Sequence, residues 1–229
     1  MQSGLASNGF CLWRMRGVFL KIVYIERMGA IIQDESDQEL SQAVGELVRI
    51  ARRSAIMGLS AGAGGNISMR CGARVLIKAS GCSLYDLCEE NVVVLDEEGR
   101  ALRGVGGPSK EVRFHLGIYR SLPDVGGVAH YHAPHCTAFA VRGMPIPLTT
   151  ISAKRYFPKL PVVPELPDGS QELADAVVEA FQDREVRLIL LAGHGIVSVG
   201  RTLTEAHIMA ESAEEAARIS FLSRLIPLT

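Results

Sequence analysis

The sequence predicts an α/β protein: a single-domain α/β/α layered fold around a mixed, largely antiparallel central sheet. Two observations predict it. Short runs rich in apolar and β-branched residues, such as ISMR, RVLIKA, NVVVL and VRLILL, are mostly joined through turn residues into hairpins. Between them lie segments with apolar residues at helical spacing, several of them opening on capping residues. The composition agrees, since 48% hydrophobic and 21% charged residues over 229 positions suit a chain with a sizeable core.

Taken in order, residues 1–35 read as an extension, an added strand or an oligomer contact without chemistry, with Met28 as an alternative start. The domain proper occupies residues 36–229. Arg14, Arg16, Lys21, Glu26 and Arg27 interrupt the greasy N-terminal stretch, so no uncharged run nears the ~20 residues needed to cross a bilayer. A compact apolar stretch with a small-residue cleavage site is also missing, which argues against a secretion signal. Ser36 and Glu39 have capping-box spacing and predict a helix start, with Leu40, Val44, Leu47, Val48, Ala51 and Ala55 on its apolar face. The glycine loop SAGAGGN follows, then a hairpin of ISMR and RVLIKA around Cys71, Gly72 and Ala73, then a second hairpin in NVVVLDEEGRAL.

Ser109 is the expected cap of a helix through KEVRFHLGIYRSL, which stops before Pro123. VGGVAHYH reads as a strand, and VRLILLAGHGIVSVG as two buried strand segments broken by Gly-His-Gly. Helices over 170–182, capped by Ser170, and over 202–222, with Thr202 and Glu205 as a second capping box, complete the set.

Net charge is −1 and no basic run could track a phosphate backbone, so nucleic acid is not an expected partner. The five cysteines, Cys11, Cys71, Cys82, Cys88 and Cys136, are odd in number and show no C-x-x-C spacing. They read as reduced thiols, mostly buried, of a cytoplasmic protein.

Three of the six histidines crowd into GGVAHYHAPH. On a strand His130 and His132 share a face, with Tyr131 opposite, and two such imidazoles at a strand end can grip one metal ion. The pair alone equally fits two polar residues on a solvated face. His194 adds weight, because an ionisable side chain interrupting an apolar strand needs a partner and its flanking glycines admit close approach. It is a third candidate ligand, the bland reading being a hydrogen-bonded core histidine. Three neutral nitrogen donors suit Zn2+ or another divalent transition metal. His135, which follows Pro134 at a possible helix start, reads as a support behind the ligands or as structural, and His115 and His207 read as structural.

Glu111 falls in a first helical turn, where a carboxylate is favoured by the helix dipole alone. Its neighbours, Ser109 and Lys110 after Gly106-Gly107-Pro108, also suit an anion site. GAGGN, with Gly65 and Asn66, and KASG, with Ser80 and Gly81, are short loops able to offer backbone N–H groups to a phosphate. Neither is a P-loop or a dinucleotide fingerprint.

The ordered series GLSAGAGGNISMR, IKASG, PSKEVRFHLGIYRSLPDVGGVAHYHAPHCTAFAV and LLAGHGIVSVGRTLTEA resembles the class II aldolase/adducin family, within it the L-fuculose-1-phosphate aldolases. The resemblance covers about residues 36–222. It implies that His130, His132 and His194 bind the metal and that Glu111 is the catalytic acid/base. It further implies a phosphate site at Gly65, Asn66, Ser80, Gly81 and Ser109, joined by Lys110. The implied reaction is reversible, zinc-dependent cleavage of a ketose 1-phosphate to dihydroxyacetone phosphate and an aldehyde, through a metal-stabilised enediolate. A cytoplasmic homotetramer with sites at subunit boundaries is implied as well.

Two departures bear on the substrate: Ala63 stands where Thr or Ser is usual, and Lys110 where a second Ser is. The P-S-K-E form also resembles a branch that decarboxylates sugar-acid phosphates, so decarboxylation of a 3-oxo sugar-acid phosphate, dehydration and epimerisation stay open as same-site alternatives. A non-catalytic scaffold of the adducin kind is a more remote one. The tyrosine that some members contribute has no counterpart in the series; Tyr156 is only nearby.

Overall fold

A computed structural model describes the backbone of residues 18–227 and the side chains of residues 37–227. The chain divides into two units, residues 1–39 and residues 40–229. Of the first, the described backbone is helical throughout: α1 runs Val18–Ile56 without a break at Ser36. The expected cap at Ser36 and Glu39 is therefore overturned, and so is an added strand over the described part of the extension. No proline and a single glycine, Gly29, stand between Val18 and Ser36, so a local capping preference has no helix stop to act with.

The second unit is built on one eight-stranded sheet in the order β4-β3-β2-β1-β5-β8-β7-β6. The strands are β1 (Asn66–Cys71), β2 (Arg74–Lys78), β3 (Val92–Leu95), β4 (Ala101–Arg103), β5 (Gly127–Tyr131), β6 (Val162–Val163), β7 (Leu188–Leu191) and β8 (Gly195–Gly200). Every neighbouring pair is antiparallel except β6 with β7. The mixed, largely antiparallel sheet is as expected.

Helices cover both faces. Against one face pack α1 from Leu40 onward, α3 (Pro134–Val141) and α6 (Leu203–Ser223), with Ile67, Ala129, Tyr131 and Leu190 pointing to them. Against the other pack α2 (Val112–Ser121) and α5 (Gln171–Ala180), onto Ile77, Val128, Ile189 and Val197. Strand alternation produces both cores from one sheet: Val128 and Ala129, adjacent in β5, belong to opposite layers. Side chains such as Leu190 and Ile189 are fully buried, each worth about 1.5–3 kcal/mol of transfer free energy. A short helix, α4 (Ile151–Tyr156), completes the unit.

Of the caps expected from sequence within this unit, two behave as their chemistry dictates and one does not. Ser170 accepts from the Leu173 N–H and Thr202 from the Glu205 N–H, as expected. At α2 the cap position is Glu111, with no side-chain cap bond, and Ser109 stands outside the helix. The reason is tertiary: the Ser109 N–H is committed to the Lys78 carbonyl, and its own carbonyl closes a turn onto the Val112 N–H. The cysteines also differ from expectation, since Cys136 is buried while Cys71, Cys82 and Cys88 are only partly so. Cys11 lies outside the described residues. Among the described residues, no helix is long and apolar enough to cross a membrane.

Candidate active site

The site forms where three chain segments reach the same end of the sheet on its α2–α5 face. Register does the first part of the work. Asn66 of β1 pairs with His130 of β5, and His130 pairs with Val197 of β8. The side chains of Asn66, Ser68, Val128 and His130 therefore share the face that α2 covers, while Tyr131 turns into the opposite core. His132 lies just past the end of β5. His194 stands in the tight turn joining β7 to β8, whose Gly193 takes φ +69°, a left-handed conformation that glycine adopts without strain.

His130, His132 and His194 converge, their ligand nitrogens lying within 4.8 Å of one another. The Nε2 atoms of His130 and His132 are 3.2 Å apart. Two ligands about 2.0–2.1 Å from a tetrahedral Zn2+ would be separated by about 3.3–3.4 Å, so this spacing fits one ion. The His130 Nδ1–H donates to the Ile196 carbonyl at 2.9 Å, which leaves Nε2 as the lone-pair nitrogen facing the site. Burial, reinforced by the neighbouring imidazoles, holds His130 well below the ordinary histidine range; burial also lowers His132 and His194. All three are thus neutral donors, the form a metal needs.

Glu111, at the N-terminus of α2, faces this cluster. Its Oε2 lies 3.3 Å from His130 Nε2 and its Oε1 lies 3.7 Å from His194 Nε2. Oε2 accepts a hydrogen bond from Asn66 Nδ2 at 2.8 Å, whereas Oε1 is buried with no hydrogen-bond partner. An orphaned, buried carboxylate oxygen beside three neutral imidazoles is what a site built around a cation predicts. Burial drives the Glu111 carboxyl up to about 7; the Asn66 hydrogen bond opposes the rise and the Asp168 carboxylate adds to it.

The residues read from sequence as the phosphate cradle line the same pocket of about 420 Å³: Gly65, Asn66, Ser80, Gly81, Ser109 and Lys110, within the usual size for a small-molecule site. The neighbouring Gly64 has a separate, packing reason to be glycine. A Cβ there would sit 2.8 Å from His132 Nδ1 and 3.1 Å from the Ala61 carbonyl. Lys110 is not turned inward as a lone cation; it forms an ion pair with Asp168, and both side chains are well exposed.

Two pocket residues escaped the sequence reading. Lys78 is 2% exposed and donates to the carbonyls of Ala63 and Cys82, and burial lowers its pKa. The lysine that opens KASG, at the end of an apolar strand, was the available signal. Asp168, in the loop before α5, lies within ligand distance of Glu111 and His194. Burial opposes its ionisation, but the Lys110 hydrogen bond and charge prevail and hold it below the usual carboxylate range. Its sequence context, ELPDGS, reads only as a turn. Outside the pocket, Tyr156 is on α4 and exposed. His135 pairs with Glu214 at 2.7 Å, and His207 meets Tyr131 and Glu211, so both serve the packing of α6.

Comparison with known proteins identifies the family. The family described as class II aldolase and adducin N-terminal domain matches residues 45–221. The chain belongs to the class II aldolase/adducin family. Among curated relatives, it is 34% identical over 177 residues to the L-fuculose phosphate aldolase of Methanococcus maripaludis, covering 77% of this chain and 95% of that one. It is 38% identical over 172 residues to a 5-methylthioribulose-1-phosphate/5-deoxyribulose-1-phosphate aldolase of Rhodospirillum rubrum, covering 75% and 76%. Among solved structures, an L-fuculose 1-phosphate aldolase superimposes with TM-score 0.72 at 26% identity, over 82% of this chain and 91% of that one.

Proposed function

We propose that this protein is a metal-dependent aldolase that reversibly cleaves a ketose 1-phosphate of the L-fuculose 1-phosphate type into dihydroxyacetone phosphate and an aldehyde. The observation that carries the reading is the meeting, in one pocket, of three neutral imidazoles with a buried carboxylate whose second oxygen has no partner. His130, His132 and His194 would hold the ion, zinc or a similar divalent metal. Once bound, it would supply Lewis-acid stabilisation of the negative charge on the enediolate oxygens.

The rest of the work falls to the chain. Gly65, Asn66, Ser80, Gly81 and Ser109, with buried Lys78 behind them, form an end of the pocket suited to a phosphate, and so place the reacting carbon near Glu111. When the carbon–carbon bond breaks, the hydroxyl on the aldehyde half gives up its proton to solvent, the bonding electron pair stays with the three-carbon half, and Glu111 delivers a proton to that carbon. In the synthetic direction the same carboxylate removes it. Burial favours the protonated form of this carboxyl, which lets it hold a proton as well as take one.

Decarboxylation of a sugar-acid phosphate is the rival reading, suggested by Lys110. The ion pair with Asp168 weakens it, because a lysine already neutralised offers less to a substrate carboxylate. We further expect a cytoplasmic homotetramer. Exposed Phe221, Leu222, Leu225 and Ile226 at the end of α6 give it apolar surface to bury; a monomer in light scattering would contradict it.

The test is a coupled assay on zinc-loaded protein offered L-fuculose 1-phosphate and 5-deoxyribulose 1-phosphate, with dihydroxyacetone phosphate release followed by NADH oxidation. Metal-dependent release is the expected result, and the rate order ranks the aldehydes. Metal bound at full occupancy with no release from either would overturn the aldolase reading in favour of decarboxylase or dehydratase chemistry at the same site.

A further inference from the structure

Behind Glu111 runs a ladder of buried polar groups, of which His115, Ser68 and Tyr119 have no part in the chemistry above. On the α2 side, Glu111, His115 and Tyr119 recur every four residues and form one stripe. On β1, Asn66 and Ser68 are two apart and share a face. The two periodicities mesh. Asn66 Nδ2 donates to Glu111 Oε2 at 2.8 Å, and His115 Nε2 meets Asn66 Oδ1 at 2.5 Å. His115 Nδ1 meets Ser68 Oγ at 2.6 Å, and Ser68 Oγ lies 2.8 Å from the Tyr119 hydroxyl. His115 and Ser68 are fully buried, so bulk solvent does not reach these bonds.

Only one arrangement of protons satisfies every member. Glu111 Oε2 accepts from the Asn66 Nδ2–H, so the amide oxygen faces His115. That oxygen also only accepts, so His115 carries its proton on Nε2. Burial drives the ring's pKa down to about 3 and keeps it neutral, leaving Nδ1 as an acceptor for the Ser68 hydroxyl. Ser68, having donated, accepts from Tyr119. Reversing the Asn66 amide would press its oxygen against the carboxylate and its NH₂ against the His115 N–H.

We propose that His115 is a positioning residue: its Nε2–H tautomer locks the Asn66 amide, which ties down Glu111 Oε2 and leaves Oε1 as the oxygen that exchanges a proton with substrate. The role rests on the reading of Glu111 as the acid/base.

The test uses full-length, zinc-loaded protein and the exchange of solvent deuterium into dihydroxyacetone phosphate alone, which reports the Glu111 step without an aldehyde. His115→Leu should lower the exchange and cleavage kcat by about 10- to 100-fold, as misplacement of a catalytic group does, with KM nearly unchanged and zinc content intact. His115→Gln keeps a donor for Asn66 Oδ1 and should recover part of the loss. Combined with Glu111→Gln, His115→Leu should have no further effect, since no carboxylate is left to position. An equal loss in both backgrounds, or full exchange by folded His115→Leu, would overturn the positioning role. Independently of activity, ¹⁵N NMR of histidine-labelled protein at pH 8 should find His115 protonated on Nε2; an Nδ1–H tautomer overturns the ladder. Wild-type protein that neither exchanges nor cleaves would overturn the acid/base reading and the positioning role with it, while the tautomer is still read by NMR.

Discussion

The histidine end of the pocket and its Lys110–Asp168 rim lie against the same carboxylate, yet they are built in opposite ways. His130 has no exposed side-chain surface and Glu111 is 4% exposed. Both are fixed by backbone: a strand register in one case, a helix terminus in the other. Lys110 and Asp168 are 68% and 44% exposed and meet only through their side-chain tips. A buried group held by its element is oriented before substrate arrives, whereas a solvated pair must give up side-chain entropy to hold one geometry. The histidine end should therefore carry the large functional effects and the rim the small ones.

His132→Ala tests the strong side most severely. Removing one of three converging nitrogens should abolish zinc retention, with turnover lost; stoichiometric zinc by metal analysis would take His132 off the ligand set. Glu111→Gln should keep the metal and lower turnover by about 100-fold or more, as loss of general acid/base catalysis does. Full activity in that variant would remove Glu111 from the chemistry.

Gly64→Ala probes how firmly the histidine end is held. The added Cβ would press on His132 Nδ1, and disturbing a ligand's support typically weakens metal binding by about 10–100-fold. Unchanged affinity in a chelator competition would show that the loop yields instead. The smallest effects belong to the rim. Asp168→Ala should shift stability by less than about 1 kcal/mol, the ordinary worth of an exposed pair, and change turnover only a few-fold. A loss comparable to that of Glu111→Gln would break the distinction and place Asp168 in the machinery.

Much of this architecture was legible in the chain. Ser170 and Thr202 act as the caps their residue types suggest, because nothing tertiary competes for their hydroxyls. At Ser36 and Ser109 the same local rule fails. A continuing helix overrides the first, and a bond from the Ser109 N–H to the Lys78 carbonyl places the second outside its helix. β6 was invisible because two residues carry no period. The site divides in a similar way. His-x-His on a strand and Gly-His-Gly between strands are local patterns and could be read. Asp168 is drawn in by long-range folding of a turn whose own sequence carries no chemical signature, and a lysine ending an apolar strand, the local hint at Lys78, does not say what it meets.

The sequence by itself determined the longer strands and the amphipathic helices, that His130 and His132 share a face, and that an acidic residue opens α2, because these follow from the fixed periods of strand and helix. Only the tertiary structure decided that β1 lies beside β5 and β5 beside β8, which brings Asn66, His130 and the His194 turn to one end of the sheet. The same packing stands α2 over that end, so one Glu111 oxygen is tied down and the other left bare. Periodicity fixes the direction of a side chain relative to its own backbone. Which neighbour it meets is set by how the layers pack to bury their apolar faces, and no local pattern encodes that.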